Sequence, residues 1–163
     1  MAGFHSVFYD ILPHYFMEFD IYDKKRRVFL GTDERKNLIN DSIYSHSELP
    51  VEISQVRVLE SKVFESMEEI LDCMGLSAFI SENAYDILDK HLIHKKIPEK
   101  DVLLSLNKDR IMEGLYIKWE ENGIVKGRYK YVRPGFVQTL LESGQHWKDR
   151  PKIANYTKDR GRF

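Results

Sequence analysis

Apolar and polar positions alternate with a period of two along Phe16-Met17-Glu18-Phe19-Asp20-Ile21. Phe16, Glu18 and Asp20 then face one way and Met17, Phe19 and Ile21 the other, which predicts a strand. Lys24-Lys25-Arg26-Arg27 reads as the turn after it and Val28-Phe29-Leu30 as the return strand. Gly31-Thr32-Asp33 supplies a break and an N-cap for a short helix through Lys36 to Ile39. Alternation resumes in VEISQVRVLE (51–60), which predicts a further strand.

Over about 61–107 the period becomes helical. Phe64, Met67, Ile70, Leu71 and Met74 fall on one stripe closed by Gly75. Ser81 with Glu82 opens a second helix carrying Tyr85, Leu88 and Leu92, and Pro98 stands where a first turn tolerates it, ahead of Val102, Leu103 and Leu106. The span 112–133 predicts a hairpin turning at Asn122-Gly123. A short helix around 136–142 ends at Ser143-Gly144, and the tail from Pro151 is basic and low in apolar residues. Strands, then a helical block, then strands is the order of an α+β fold, here a single domain over 1–163.

Composition narrows this in a few places. A chain of 163 residues with 42% hydrophobic and 12% aromatic content reads as globular, with room for one core. The 26 acids nearly balance 25 bases, so net charge says nothing about partners, but its distribution does. Residues 59–89 hold eight acids against one lysine, while 108–133 hold seven bases against four acids and 148–163 six against two. A basic C-terminal third suggests an anionic ligand, with solvated helix faces as the alternative. Cys73 is the single cysteine, so no intrachain disulfide forms, and its apolar setting predicts a buried reduced thiol. No apolar run approaches a membrane span and no signal-peptide pattern opens the chain, so the cytoplasm is the expected compartment.

The hairpin carries the candidate chemistry. Glu113 at a strand edge, next to Gly114, is a plausible ligand for a hard cation such as Mg²⁺. Lys118 projects to the opposite side of an ideal strand from Glu113 unless a bulge intervenes, and Arg128 and Lys130 share one face and suit a phosphate. A metal-holding carboxylate beside cations aimed at phosphate is what nucleotidyl transfer requires, because charge grows on the phosphate in the transition state. Charged residues on a solvent-facing hairpin give the same pattern.

MEGLYIK (112–118) and GRYKYVR (127–133) resemble motifs IV and V of the covalent nucleotidyltransferases, the ATP-dependent RNA and DNA ligases and mRNA-capping enzymes. FMEFDIYD (16–23) resembles their motif IIIa. HSVFYDILPHYFMEFDIYD (5–23), the hairpin and VRPGFVQTLLESGQHWKDRP (132–151) are similar in order and wording to a bacterial and phage RNA-ligase family, with 61–107 similar only loosely. The resemblance implies antiparallel sheets of a ligase-type nucleotidyltransferase domain, with ATP, Mg²⁺ and RNA as its ligands. It implies that Glu113 assists the metal, that Lys118 orients the α-phosphate, that Arg128 and Lys130 hold the nucleotide phosphates, and that Phe19 stacks on adenine. In the complete family a lysine is adenylated, AMP passes to an RNA 5′-phosphate, and a 3′-hydroxyl attacks with release of AMP.

The family's nucleophile lies in a K-x-D-G motif, and none occurs in these 163 residues; Asn107-Lys108-Asp109-Arg110 comes nearest. The expectation is therefore an incomplete adenylation domain, inactive in self-adenylation alone. Such a domain would be completed by another chain or would self-associate through exposed sheet edges. A non-catalytic RNA-binding module is the alternative. Arg133, Lys148, Arg150 and Lys152, with Trp147 and Tyr156 for stacking, are candidate RNA contacts, against a frayed end. The Lys24–Arg27 turn reads equally as an RNA contact or as a solvated turn. His91-x-x-His94 has metal-binding spacing but reads better as two exposed helix histidines; Glu18, Asp20 and Asp23 are a candidate carboxylate cluster, against Glu18 and Asp20 as one polar strand face. Without the family, Phe19 reads as core.

Overall fold

The computed structural model describes residues 7–45, 53–98, 108–142 and 153–159. In chain order these form β1 (Tyr22–Asp23), β2 (Val28–Leu30), α1 (Thr32–Ser45), α2 (Met67–Leu71), α3 (Ala84–Lys95), β3 (Gly114–Glu121), β4 (Ile124–Val132) and α4 (Pro134–Glu142). The chain divides into two compact units. One comprises Met1–Tyr15, Glu60–Leu115 and Val132–Phe163, the other Phe16–Leu59 and Tyr116–Tyr131.

The strands form one sheet in the order β1-β2-β4-β3, with Tyr22 opposite Phe29 and Phe29 opposite Val125, both antiparallel. The predicted hairpin turns at Asn122-Gly123, where φ is 52° and 73°. Both central residues in the left-handed region is what a two-residue turn between right-twisted strands needs. Gly31 donates its N–H to Gly123 O at 2.7 Å, and a Cβ at Gly31 would lie 2.6 Å from that oxygen. Close backbone approach therefore demands glycine here. Lys24–Arg27 is a turn as predicted, with Asp23 Oδ1 accepting the N–H groups of Lys25 and Arg26.

Two predicted strands are corrected. Within 16–23 only Tyr22–Asp23 is a strand, and 53–60 forms none. Each segment is tied instead by an isolated parallel bridge between Glu18 and Gln55. Alternation reports an extended backbone; a strand also needs a ladder of hydrogen bonds, and here the ladder is one rung long. α1 runs to Ser45, past the predicted end at Ile39, because Asn40-Asp41-Ser42, residue types that favour caps and turns, interrupt the apolar pattern just after Ile39.

In the other unit the helix predicted over 64–74 contracts to α2. Ser66 is its N-cap, with the extended backbone a cap requires (φ −145°, ψ 165°), so Phe64 lies outside the helix. α3 carries Leu88 and Leu92 as predicted and starts after Asn83 rather than Ser81. Ser81 is instead held by the buried Asp10, which accepts its N–H at 2.8 Å and also its hydroxyl. Phe8, Leu88, Leu92 and Ile153 form one apolar cluster, and Val7, Ile80, Ala84 and Phe136 another. The helix predicted over 136–142 is α4, two residues longer at its start. The helix predicted after Pro98, with Val102, Leu103 and Leu106, lies outside the described residues.

The frayed-end reading of the tail is overturned for 153–159. Ile153, Asn155 and Thr157 are buried, Leu12 bridges Thr157, and Tyr156 packs edge-on against Phe8 at 5.2 Å. Ile153 is the apolar anchor, and backbone hydrogen bonds to Tyr9 and Leu12, with the Tyr9 N–H accepted by Asn155, satisfy the polar groups that are buried with it. Tyr156 is thereby committed to packing rather than to stacking on a ligand. Among the described residues no helix is long and apolar enough to cross a membrane.

Candidate nucleotide-binding and metal-assisting residues

In the unit built on the sheet, the segment before β1 sets the geometry. Glu18 donates its N–H to Ser54 O and accepts that of Val56, both at 2.8 Å, which keeps 18–20 extended. Period two then turns Glu18 and Asp20 inward, with side chains 10% and 7% exposed, and leaves Phe19 49% exposed. The core reading of Phe19 is thus excluded. Its ring meets Tyr116 edge-to-face at 5.5 Å, and an exposed aromatic face is a platform for a flat base.

Asp20 gathers the cations. Lys118 Nζ lies 2.7 Å from Oδ1, Arg128 Nη1 lies 3.4 Å from Oδ2, and the Tyr116 hydroxyl donates to Oδ2 at 2.7 Å. Lys118 also donates to Phe19 O at 2.5 Å, and the Arg128 guanidinium covers the Phe29 ring at 3.9 Å. Burial pushes the Asp20 carboxyl up, but the hydrogen bonds from Lys118 and Tyr116, the Lys118 charge and Arg128 outweigh it and hold the group below its ordinary value. Burial, then the bond to Asp20, pushes the Tyr116 phenol up, so it remains a donor.

Behind this network, Arg35, itself buried, pairs with Glu18. Glu18 Oε1 and Arg35 Nε are buried without a hydrogen-bond partner among the described residues. At the start of α1, Glu120 Oε2 accepts the Thr32 N–H at 2.9 Å and Oε1 its hydroxyl at 2.6 Å. A carboxylate from β3 therefore fills the capping role that Thr32 and Asp33 were expected to supply.

Glu113 belongs to the other unit and is half-buried. Its carboxylate Oε1 accepts the Tyr9 hydroxyl, and its backbone oxygen accepts the Arg133 N–H at 3.0 Å. Burial, reinforced by the Glu113 charge and hydrogen bond, drives the Tyr9 phenol far above its ordinary range, so it is a permanent donor. Arg133, a candidate RNA contact, is turned to its own unit: Nη2 lies 2.8 Å from Asp109 Oδ2 and Nε donates to Met112 O at 3.0 Å.

The structure thus brings Phe19, Lys118 and Arg128 together on Asp20, while Lys130 is exposed. Lys148, Arg150, Lys152 and Trp147 lie outside the described residues. Among the described residues no three His, Cys, Asp or Glu side chains gather as a metal cage. Glu18, Asp20 and Asp23 each have a separate cationic partner, and His91 Nδ1 meets the Tyr156 hydroxyl at 2.9 Å. Cys73 is a free, half-buried thiol. Sequence reasoning missed Asp20 as the organiser and Tyr9 as the partner of Glu113. The one available signal was an acid at alternate positions of an otherwise apolar segment.

Residues 1–132 match the family model described as RNA ligase. No curated protein and no solved structure matches the chain. A match over that span, which takes in Phe19, Asp20, Glu113, Lys118 and Arg128, shows that the chain belongs to the RNA ligase family.

Proposed function

We propose that the chain serves ATP-dependent strand joining of RNA, with Phe19, Lys118, Arg128 and Lys130 binding the nucleotide and Glu113 assisting Mg²⁺. The observation that carries this is the cluster on Asp20: an exposed aromatic face beside two cations whose positions are fixed before any ligand arrives. Fixed cations suit phosphate recognition because their ordering cost is already met by the fold. The donor set fits a nucleotide. For the metal, one carboxylate without a protein-built cage fits Mg²⁺, which keeps its waters and is held largely through substrate phosphates. When bound, the metal supplies charge neutralisation at those phosphates.

In this reading Lys118 and Arg128 exchange some of their contact with Asp20 for phosphate oxygens, and Lys130 adds an exposed cation. The family's nucleophilic lysine is supplied by a K-x-D-G segment that these 163 residues do not contain. The absence of that motif also favours a second reading, an RNA-binding module without catalysis, whose affinity would fall steeply with salt and ignore ATP.

Calorimetric titration with ATP separates the two. The nucleotide reading expects measurable binding that Phe19→Ala weakens by about 1–3 kcal/mol, the range for stacking a base on an aromatic ring. Absence of ATP binding alongside salt-sensitive RNA binding would favour the module instead. ATP labelled at the α-phosphate should leave no covalent label on this chain alone.

A further inference from the structure

Tyr9 is tied on three sides. Its N–H goes to Asn155 Oδ1 at 3.0 Å, its carbonyl accepts the Tyr156 N–H at 2.9 Å, and its hydroxyl goes to Glu113. Asn155 is buried, and the segment that carries it is locked by the fully buried Ile153 and by Lys158 N–H to Leu12 O at 3.0 Å. The C-terminal segment therefore grips the backbone of the residue whose side chain grips Glu113. Segment 153–159 lies beyond the residues 1–132 that match the family model.

We propose that Tyr9, clamped by Asn155 and Tyr156, is a positioning residue that orients the Glu113 carboxylate toward the metal. The proposal rests on the reading of Glu113 given above. A carboxylate on a flexible two-methylene arm loses rotamer freedom when it takes up a ligand. A hydroxyl held in place by two backbone bonds to a buried segment removes that freedom in advance. Oε1 is committed to Tyr9, which leaves Oε2 for a hydrated cation. Partners that orient a metal-ligating group in this way are worth roughly 10–100-fold in metal affinity.

The test is the gain in ATP affinity that Mn²⁺ confers, measured by calorimetry with and without the metal on the full chain. Tyr9→Phe keeps the ring and removes the hydroxyl. It should cut the Mn²⁺-dependent gain about tenfold, with metal-free ATP affinity unchanged, a split that a merely structural role would not produce. Glu113→Gln is the control and should abolish the gain. A Tyr9→Phe gain equal to wild type, with Glu113→Gln defective, overturns the proposal and leaves the Glu113 reading standing. A wild-type or Glu113→Gln result showing no role for Glu113 overturns both. If Tyr9→Phe does not melt cooperatively, Asn155→Ala, which leaves the Tyr9 side chain intact, is judged by the same criterion.

Discussion

Lys118 Nζ lies 2.7 Å from Asp20 Oδ1, with both side chains largely buried, so a lysine of the hairpin is placed by a carboxylate from the segment that precedes β1. Both are positioned by contacts with segments distant in sequence. Asp20 turns inward because Glu18 is pinned to Ser54 and Val56, and Lys118 is stretched across to it and to Phe19 O.

Asp20→Asn removes the charge that this arrangement is built around. The expected cost is about 3 kcal/mol, the lower end for deleting one partner of a buried ion pair, read from urea unfolding. The acid dependence changes too. A carboxyl held below its ordinary value of 3.8 binds fewer protons folded than unfolded, so its stabilisation is present above that pH and is lost as pH falls through the folded value. The variant should therefore lose less stability between neutral pH and pH values below 3.8 than wild type does.

Glu120→Ala should cost about 1–2 kcal/mol, since it removes the acceptor of both Thr32 donors. Hydrogen exchange at the first turn of α1 should speed up, while exchange in α3 stays as in wild type.

Gly31→Ala places a methyl group 2.6 Å from Gly123 O, a backbone atom at a constrained turn that has little room to move. Overpacking of about 1–3 kcal/mol is expected. The loss should show as a lower denaturation midpoint with an unchanged slope.

His91 should contribute to the pH dependence of stability on the acid side of neutral. Burial first, then Lys95 and His94, holds its pKa below 6.5, and its Nδ1 faces the Tyr156 hydroxyl. A histidine with a depressed folded value stabilises when neutral, so this contribution is present above pH 6.5 and is lost as pH falls through the folded value. Melting temperature should decline on acidification below pH 6.5, and less so in His91→Gln. A His91 midpoint above 6.5 by NMR titration would contradict this.

Periods two and 3.6, the Asn-Gly pair and the basic turn were enough to place the hairpin, α3, α4 and the Lys24–Arg27 turn, because these are set by local backbone preference and by one buried face. The same sequence carried Phe19, Glu113, Lys118, Arg128 and Lys130 in motif order. It did not show that 53–60 and most of 16–23 lack a ladder, since pairing depends on a second segment. Nor did it show that Glu120 rather than Asp33 serves α1, that Asp20 collects Lys118 and Arg128, or that Asn155 reaches Tyr9. Each of these joins residues far apart along the chain, where no periodicity reaches. Local pattern chose the elements and the chemistry on offer; long-range hydrogen bonds and ion pairs, formed only on folding, chose which side chains meet.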